Sequence, residues 1–327
     1  MISISEQRKQ QLIDNFKNRK IIVIGDLMLD RYLWGTVAGI SPEAPVPVVE
    51  IESEATNLGG AANVAHNLTS LGAIAIPVGV VGDDDRGELL LDLCKKMNFV
   101  TEGVIVDKSR NTTVKTRIIA HNQHVVRADR ESKHAISSEL AEKLIEKLND
   151  LIDSCDAIIF QDYNKGLLTA DLIKGVIQSA TSKDKIITVD PKFDNFFEYQ
   201  NVTVFKPNRK ETERALGIKL AHDNELRRSC LHLKKKLSCE SVLITLGEKG
   251  MCLLEPDFDF TTISTRALKV HDVSGAGDTV ISTLTLAIVA GATLKEATTF
   301  ANYAAGIVCN EVGVVPVQIE ELTKAIK

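Results

Sequence analysis

Aromatic residues are scarce in this 327-residue chain, at 5%, with a single Trp. Cysteine is also sparse: the six (Cys94, Cys155, Cys230, Cys239, Cys252, Cys309) are scattered without a CxxC spacing. That excludes a disulfide scaffold and a zinc ribbon, and reads as buried small hydrophobes in a reducing compartment. An excess of positive charge is missing too. The 39 basic and 44 acidic residues leave a net charge of −5, which excludes a nucleic-acid footprint and a polybasic membrane anchor. The N-terminus is polar and has no apolar leader segment. The longest uncharged stretch, Ala55 to Gly82, contains Pro77 and repeated Gly and Asn, so it does not read as a membrane span. A cytoplasmic protein with no membrane and no nucleic-acid partner is expected.

What is present is a rhythm. Apolar runs such as Lys20–Asp26, Ile74–Gly82, Ala157–Gln161, Ile186–Asp190 and Ser241–Gly247 alternate with amphipathic stretches such as Gly60–Leu71, Glu139–Ile152 and Thr169–Ala180. Uninterrupted apolar strands between helices predict an α/β fold, with a mainly parallel sheet covered on both faces. Residues 32–56 and 112–129 break the rhythm. They are β-rich and helix-free, and read as a small second sheet inserted into one domain spanning 1–327. Val48, Ile51, Ile118 and Val125 would give that sheet an apolar face too large to leave wet, so two such sheets are expected to pair in a homodimer.

The strongest motif is Asp272-Val273-Ser274-Gly275-Ala276-Gly277-Asp278-Thr279, running straight into an apolar helix. Small residues let a ligand approach the backbone, and the first amides of the helix face an anion. Asp278 at that mouth would repel the anion, unless its task is to take a proton from a hydroxyl nucleophile. The plainer alternative is an Asp N-cap on a Gly-rich turn. A second cluster, Gly59-Gly60-Ala61-Ala62-Asn63, opens another helix. It suits either close approach to a sugar, with Asn63 facing hydroxyls, or tight helix–sheet packing. Asp26 and Asp30 follow the first strand, where α/β sheets bind ligands, and paired carboxylates suit polyols. No GxGxxG follows that strand, which argues against a dinucleotide fold. Further polar loops, 161–166, 190–192, 206–211 and 245–250, sit at other strand ends.

Together, Gly59-Gly60-Ala61-Ala62-Asn63 and the GAGD segment ending at Asp278 resemble the ribokinase-like (PfkB) carbohydrate kinases, over about residues 20–320. Within that family, Gly25-Asp26-Leu27-Met28-Leu29-Asp30-Arg31-Tyr32, the run Ile40 to Val48 (ISPEAPVPV) and Asp162-Tyr163-Asn164-Lys165-Gly166 resemble the branch acting on D-glycero-β-D-manno-heptose 7-phosphate. The resemblance implies a central sheet with a β lid over the sugar. It implies ATP and Mg2+, and phosphorylation of the anomeric hydroxyl to a 1,7-bisphosphate for ADP-heptose and lipopolysaccharide synthesis. Asp278 matches the family's base, with Gly275, Ala276 and Gly277 as its anion hole. Asn208 and Glu211 match an Asn-x-x-Glu motif that acts on the metal through water or phosphate. Lys192, Arg209, Lys210, Thr245, Gly247, Gly250 and Asn302 are the expected nucleotide contacts. Asp26, Asp30, Arg31, Gly59, Gly60, Asn63, Arg117, Gln123, Asp162 and Lys165 are the expected substrate contacts. Ser282-Thr283 departs from the small pair usual after GAGD. The H-x-G-H motif of a nucleotidyltransferase half is missing, so the chain reads as the separate-kinase form. A ribokinase, a fructose 1-phosphate kinase and an inert sugar-phosphate sensor stay open as alternatives. A sugar phosphate also calls for cations, and Arg117, Arg127, Lys165 and Lys192 are the candidates.

Overall fold

Ile21 to Ile24 carry apolar side chains on both faces of the first strand and are fully buried, as expected for a strand inside a doubly covered sheet. The fold comes from a computed structural model that describes residues 4–121, 123–266, 273–311 and 313–326. Its strands are β1 (Lys20–Gly25), β2 (Leu27–Ile40), β3 (Pro47–Gly60), β4 (Ile74–Gly82), β5 (Val104–Asp107), β6 (Thr113–Ala120) and β7 (Gln123–Arg130). They continue with β8 (Ala157–Gln161), β9 (Ile186–Asp190), β10 (Val204–Phe205), β11 (Ser241–Thr245), β12 (Met251–Leu254) and β13 (Phe260–Ile263). Nine of them form one sheet in the order β13-β12-β11-β10-β9-β8-β1-β4-β5. It is parallel from β11 to β5, and antiparallel at the β12 and β13 edge.

Alternation along β1 divides the core in two. Ile21 and Val23 face helices Ala61–Ser70, Ala276–Val289 and Leu294–Val308, whereas Ile22 and Ile24 face helices Ser138–Ile152, Ala170–Thr181 and Asp223–Leu237. Side-chain caps start several of these helices: Ser137 accepts from Leu140 N, Thr169 from Leu172 N, and Thr293 forms a capping box with Glu296. All six cysteines are buried free thiols, four of which sit in the second core.

The smaller sheet has the order β3-β2-β6-β7. Its strands begin earlier and end later than the 32–56 segment read from the sequence, because Leu27 to Leu29 do not turn after β1. They continue as β2, and β3 returns to Gly60 at the start of helix Ala61–Ser70. The small sheet therefore rises directly from the carboxyl end of β1. Gly60 makes the junction possible: its φ is 58°, and a Cβ there would lie 2.4 Å from the Asp26 carbonyl oxygen. Short terminal elements lay outside the sequence-based reading, notably the helix Glu6–Asp14, the edge strand β13 and the helix Ile319–Ala325. No helix among the described residues is long and apolar enough to cross a membrane.

Candidate active site

The carboxyl ends of β1, β8 and β9 are neighbours in the sheet, so Asp26, Gln161 and Asp190 converge there. Helix Ala276–Val289 aims its first turn at the same point. Its N-cap, Gly275, has a φ of 79°, and a Cβ on it would press within 3.2 Å of the Asn63 amide nitrogen. Asp272, the first residue of the motif, lies outside the described residues.

Asp278 stands at the third position of that helix and is 4% exposed. One carboxylate oxygen accepts from Asn63 Nδ2 at 2.8 Å; the other accepts from Gln161 Nε2 at 3.1 Å and Tyr163 Oη at 2.6 Å. Burial pushes its pKa up to about 6; the bonds from Tyr163 and Asn63 hold it down, and the Asp190 and Asp30 charges push it up. A carboxylate ionised at neutral pH, yet far more basic than an exposed Asp, is poised to take a hydroxyl proton. Behind it, Gln161 Nε2 also donates to Asp190 at 3.3 Å, and Asp190 pairs with the buried Lys206 at 3.1 Å. A Cβ on Gly277 would lie 3.7 Å from that Asp190 carboxylate and 3.9 Å from the Lys206 ammonium. The helix amide of Ala276 bonds back to Val273 O at 3.3 Å, so the free first-turn donors come after it.

On one side of this turn a cleft of about 570 Å3 is lined by Thr245, Gly247, Gly250, Ala276, Gly277, Val280 and Asn302. The Asn302 amide donates to Ser264 O at 2.7 Å. Asn208 bridges to Thr245 and caps helix Arg209–Leu216 through a reciprocal box with Glu211. Glu211 accepts from Asn208 N at 2.8 Å and from Lys192 Nζ at 2.5 Å. Burial lowers the Lys192 pKa, but the Asp190 and Glu211 charges outweigh it and raise the ammonium above its ordinary value. Arg209 has a buried Nε without a partner among the described residues, and Lys210 is exposed on the same first turn.

On the other side lies the small sheet. Asp26 accepts from Tyr163 N at 2.9 Å and Lys165 N at 3.1 Å with one oxygen, while its other buried oxygen has no partner among the described residues. Burial, reinforced by the Asp162 charge, raises its pKa to about 6. Asp30 belongs to β2 rather than to the end of β1, and its carboxylate meets Arg117 of β6. Gly59 packs directly on Asp30, where a Cβ would lie 2.3 Å from its Oδ2.

Three expected substrate contacts have other surroundings or partners. Arg31 is on the opposite face of β2 from Asp30, by strand alternation, and pairs with Glu54 at 2.6 Å. Gln123 is exposed at the hairpin end of β6 and β7. Asp162 is held by Asn164 N, Tyr199 Oη and Asn195 Nδ2, at 2.8, 2.8 and 3.3 Å. Asn63 reaches the site, but its amide nitrogen bonds Asp278. Tyr163, Gln161 and Lys206 lie in the polar strand-end loops that the sequence singles out, but the sequence gives them no role. Their one signal was position, since each follows or ends a strand next to β1 or β9.

These features match known proteins. Residues 18–320 match the pfkB family of carbohydrate kinases. The chain is 43% identical over 304 residues to the "Bifunctional protein HldE" of Helicobacter pylori strain J99, covering 93% of this chain and 65% of that relative. It is likewise 43% identical over 307 residues to the HldE of Desulfatibacillum aliphaticivorans, covering 94% and 63%. The chain thus spans a little under two thirds of the length of these relatives. Among solved structures, phosphofructokinase-2 from Escherichia coli, in complex with potassium, superposes with a TM-score of 0.79 at 17% identity over 94% of this chain and 98% of that one. Arabidopsis thaliana ribokinase, complexed with ribose and ATP, gives 0.73 at 18% identity over 95% and 99%. The family match over most of the chain, with the buried Asp278 at the mouth of its glycine-opened helix, makes this protein a sugar kinase of the pfkB carbohydrate kinase family.

Proposed function

We propose that the chain phosphorylates the anomeric hydroxyl of D-glycero-β-D-manno-heptose 7-phosphate, the step that yields the 1,7-bisphosphate for ADP-heptose synthesis in the cytoplasm. The observation that carries this reading is the relationship to proteins named HldE, together with the ISPEAPVPV run. Asp278 takes the proton of the acceptor hydroxyl on a carboxylate oxygen, while the hydroxyl's own oxygen bonds the γ-phosphorus of ATP and the bond from that phosphorus to the departing ADP breaks. Asn63, Gln161 and Tyr163 orient the carboxylate, and the unpartnered oxygen of Asp26 is an acceptor for a sugar hydroxyl. The cleft lined by Gly247, Gly250 and Asn302 fits a nucleotide beside the helix mouth. ATP supplies the phosphoryl group and Mg2+ neutralises its charge. No cluster of three metal-ligating acids or histidines exists among the described residues, and the oxygens of Asn208 and Glu211 already accept bonds. These two residues therefore suit a metal held through water.

The test is a kinase assay over a panel of sugar phosphates, with the product position read by phosphorus NMR. Phosphorylation of the heptose 7-phosphate at C1 is expected; comparable kcat/KM for ribose or fructose 1-phosphate would favour another member of the family. We further propose that the molecule is a homodimer joined through the small sheets. Ile40 is 75% exposed and Val46, Val48, Ile51 and Val126 are also exposed, apolar side chains that a second copy would cover.

A further inference from the structure

The cations expected to hold a substrate phosphate are already engaged. Arg117 is paired with Asp30, Arg127 with Asp129 at 3.0 Å, Lys165 with Glu131 at 2.7 Å and Lys192 with Glu211 at 2.5 Å. Each of these carboxylates offsets the charge that a phosphate would otherwise satisfy. One lysine of the small sheet differs. Lys115, on β6, stands in register between Asp30 of β2 and Asp129 of β7. Among the described residues its ammonium has no ion pair or hydrogen bond, and it lies over the face of the Tyr163 ring, 4.8 Å from the centroid.

Lys115 is half-buried, and a desolvated cation without a counter-ion is unfavourable. Burial is the main influence lowering its pKa; the Lys165 and Arg117 charges add to it, and the Asp30 and Asp129 charges oppose it. An anion arriving at Lys115 would reverse this, because the two carboxylates beside it in register are already paired, Asp30 with Arg117 and Asp129 with Arg127, and a phosphate monoester supplies the missing charge. The position also fits. Lys115 covers the ring of the tyrosine whose hydroxyl bonds the base Asp278 at 2.6 Å. An anion there lies one aromatic ring away from the reacting hydroxyl. It is also on a strand of the small sheet, away from the helix mouth where the transferring group is held. This describes the far substituent of the acceptor.

We propose that Lys115 receives the phosphate already carried by the acceptor sugar, which makes it the specificity-determining cation of this site. The inference rests on the reading that the acceptor is a sugar phosphate. Because the ammonium is uncompensated until the substrate binds, it also gives the small sheet a reason to settle when the correct sugar is present.

The experiment compares Lys115→Met and Lys115→Arg with the wild type, on heptose 7-phosphate and on unphosphorylated heptose. Methionine keeps the length and apolar stem but removes the charge. The wild type is expected to prefer the phosphorylated sugar. In Lys115→Met that preference, as a ratio of kcat/KM values, should fall ~10- to 150-fold, mostly through KM, as for a lost charged hydrogen bond. Lys115→Arg should retain most of it. The Tm of Lys115→Met without ligand should be equal to or above that of the wild type, because an unpaired half-buried charge has gone. If the wild type prefers the phosphorylated sugar and Lys115→Met keeps that preference, or loses both activities equally with a lowered Tm, the role given to Lys115 is overturned. If the wild type itself shows no preference, the substrate reading fails instead.

Discussion

At the scale of single residues, the site depends on how a carboxylate is kept basic. Asp278 is buried within reach of the Asp190 and Asp30 charges, and the donors that hold it among the described residues, Asn63, Gln161 and Tyr163, are neutral. Asp278→Asn should lower kcat ~10²- to 10⁴-fold, checked by steady-state kinetics at saturating ATP. The base must be ionised to act, so wild-type kcat/KM should fall as pH drops through about 6, the value to which burial lifts Asp278. Tyr163→Phe removes a bond that favours the charged form. Its acid limb should therefore move upward, by roughly half to one pH unit. A limb that stays put would show that Tyr163 only fills space.

The same shift makes a stability prediction of definite sign. A carboxyl whose folded pKa is raised contributes stability fully below its unfolded value near 4, and loses that contribution as pH rises through the folded value. At pH 8 wild-type Asp278 is thus a buried charge that weakens the fold. Asp278→Asn should be more stable there by ~1–3 kcal/mol, with the gap closing towards pH 5. Thermal melts at the two pH values check this.

At the scale of elements, one junction organises the site. β1 runs into β2 through Asp26, and β3 runs into helix Ala61–Ser70 through Gly59 and Gly60, so main sheet and small sheet share one corner. Gly275 plays the matching part at helix Ala276–Val289. Gly275→Ala places a Cβ at a left-handed φ and against the Asn63 amide that holds Asp278. It should lower stability by ~1 kcal/mol or more, and kcat by a larger factor than that strain alone predicts. Unaltered kcat in a folded variant would show that Asn63 does not position the base.

At the scale of the whole molecule, several apolar side chains of the small sheet remain exposed. Val48 and Ile51 of β3, 42% and 46% exposed, are among the side chains proposed to meet a second copy. Light scattering at micromolar concentration should give a dimer mass, and Val48→Asp with Ile51→Glu should give a monomer with the same far-ultraviolet circular dichroism. A wild-type monomer would remove the interface.

Much of this architecture was legible in the sequence, because local patterns carry it. Apolar runs such as that of β1 can only be strands buried on both faces, and Gly-rich turns before apolar runs opened both site helices where expected. The proposed base was legible too, since a charged residue at an anion-binding helix mouth stands out without any coordinates. Tertiary structure decided the rest, because it depends on residues far apart in the chain. Strand alternation set Arg31 and Asp30 on opposite faces of β2, the first beside Glu54 and the second beside Arg117. Distant carboxylates paired with Arg117, Lys165 and Lys192, while Lys115, which nothing in the sequence distinguishes from its neighbours, lies over an aromatic ring with no ion pair of its own among the described residues. Counter-ions are chosen by proximity in space, and a pattern along the chain records the charges but not which of them meet.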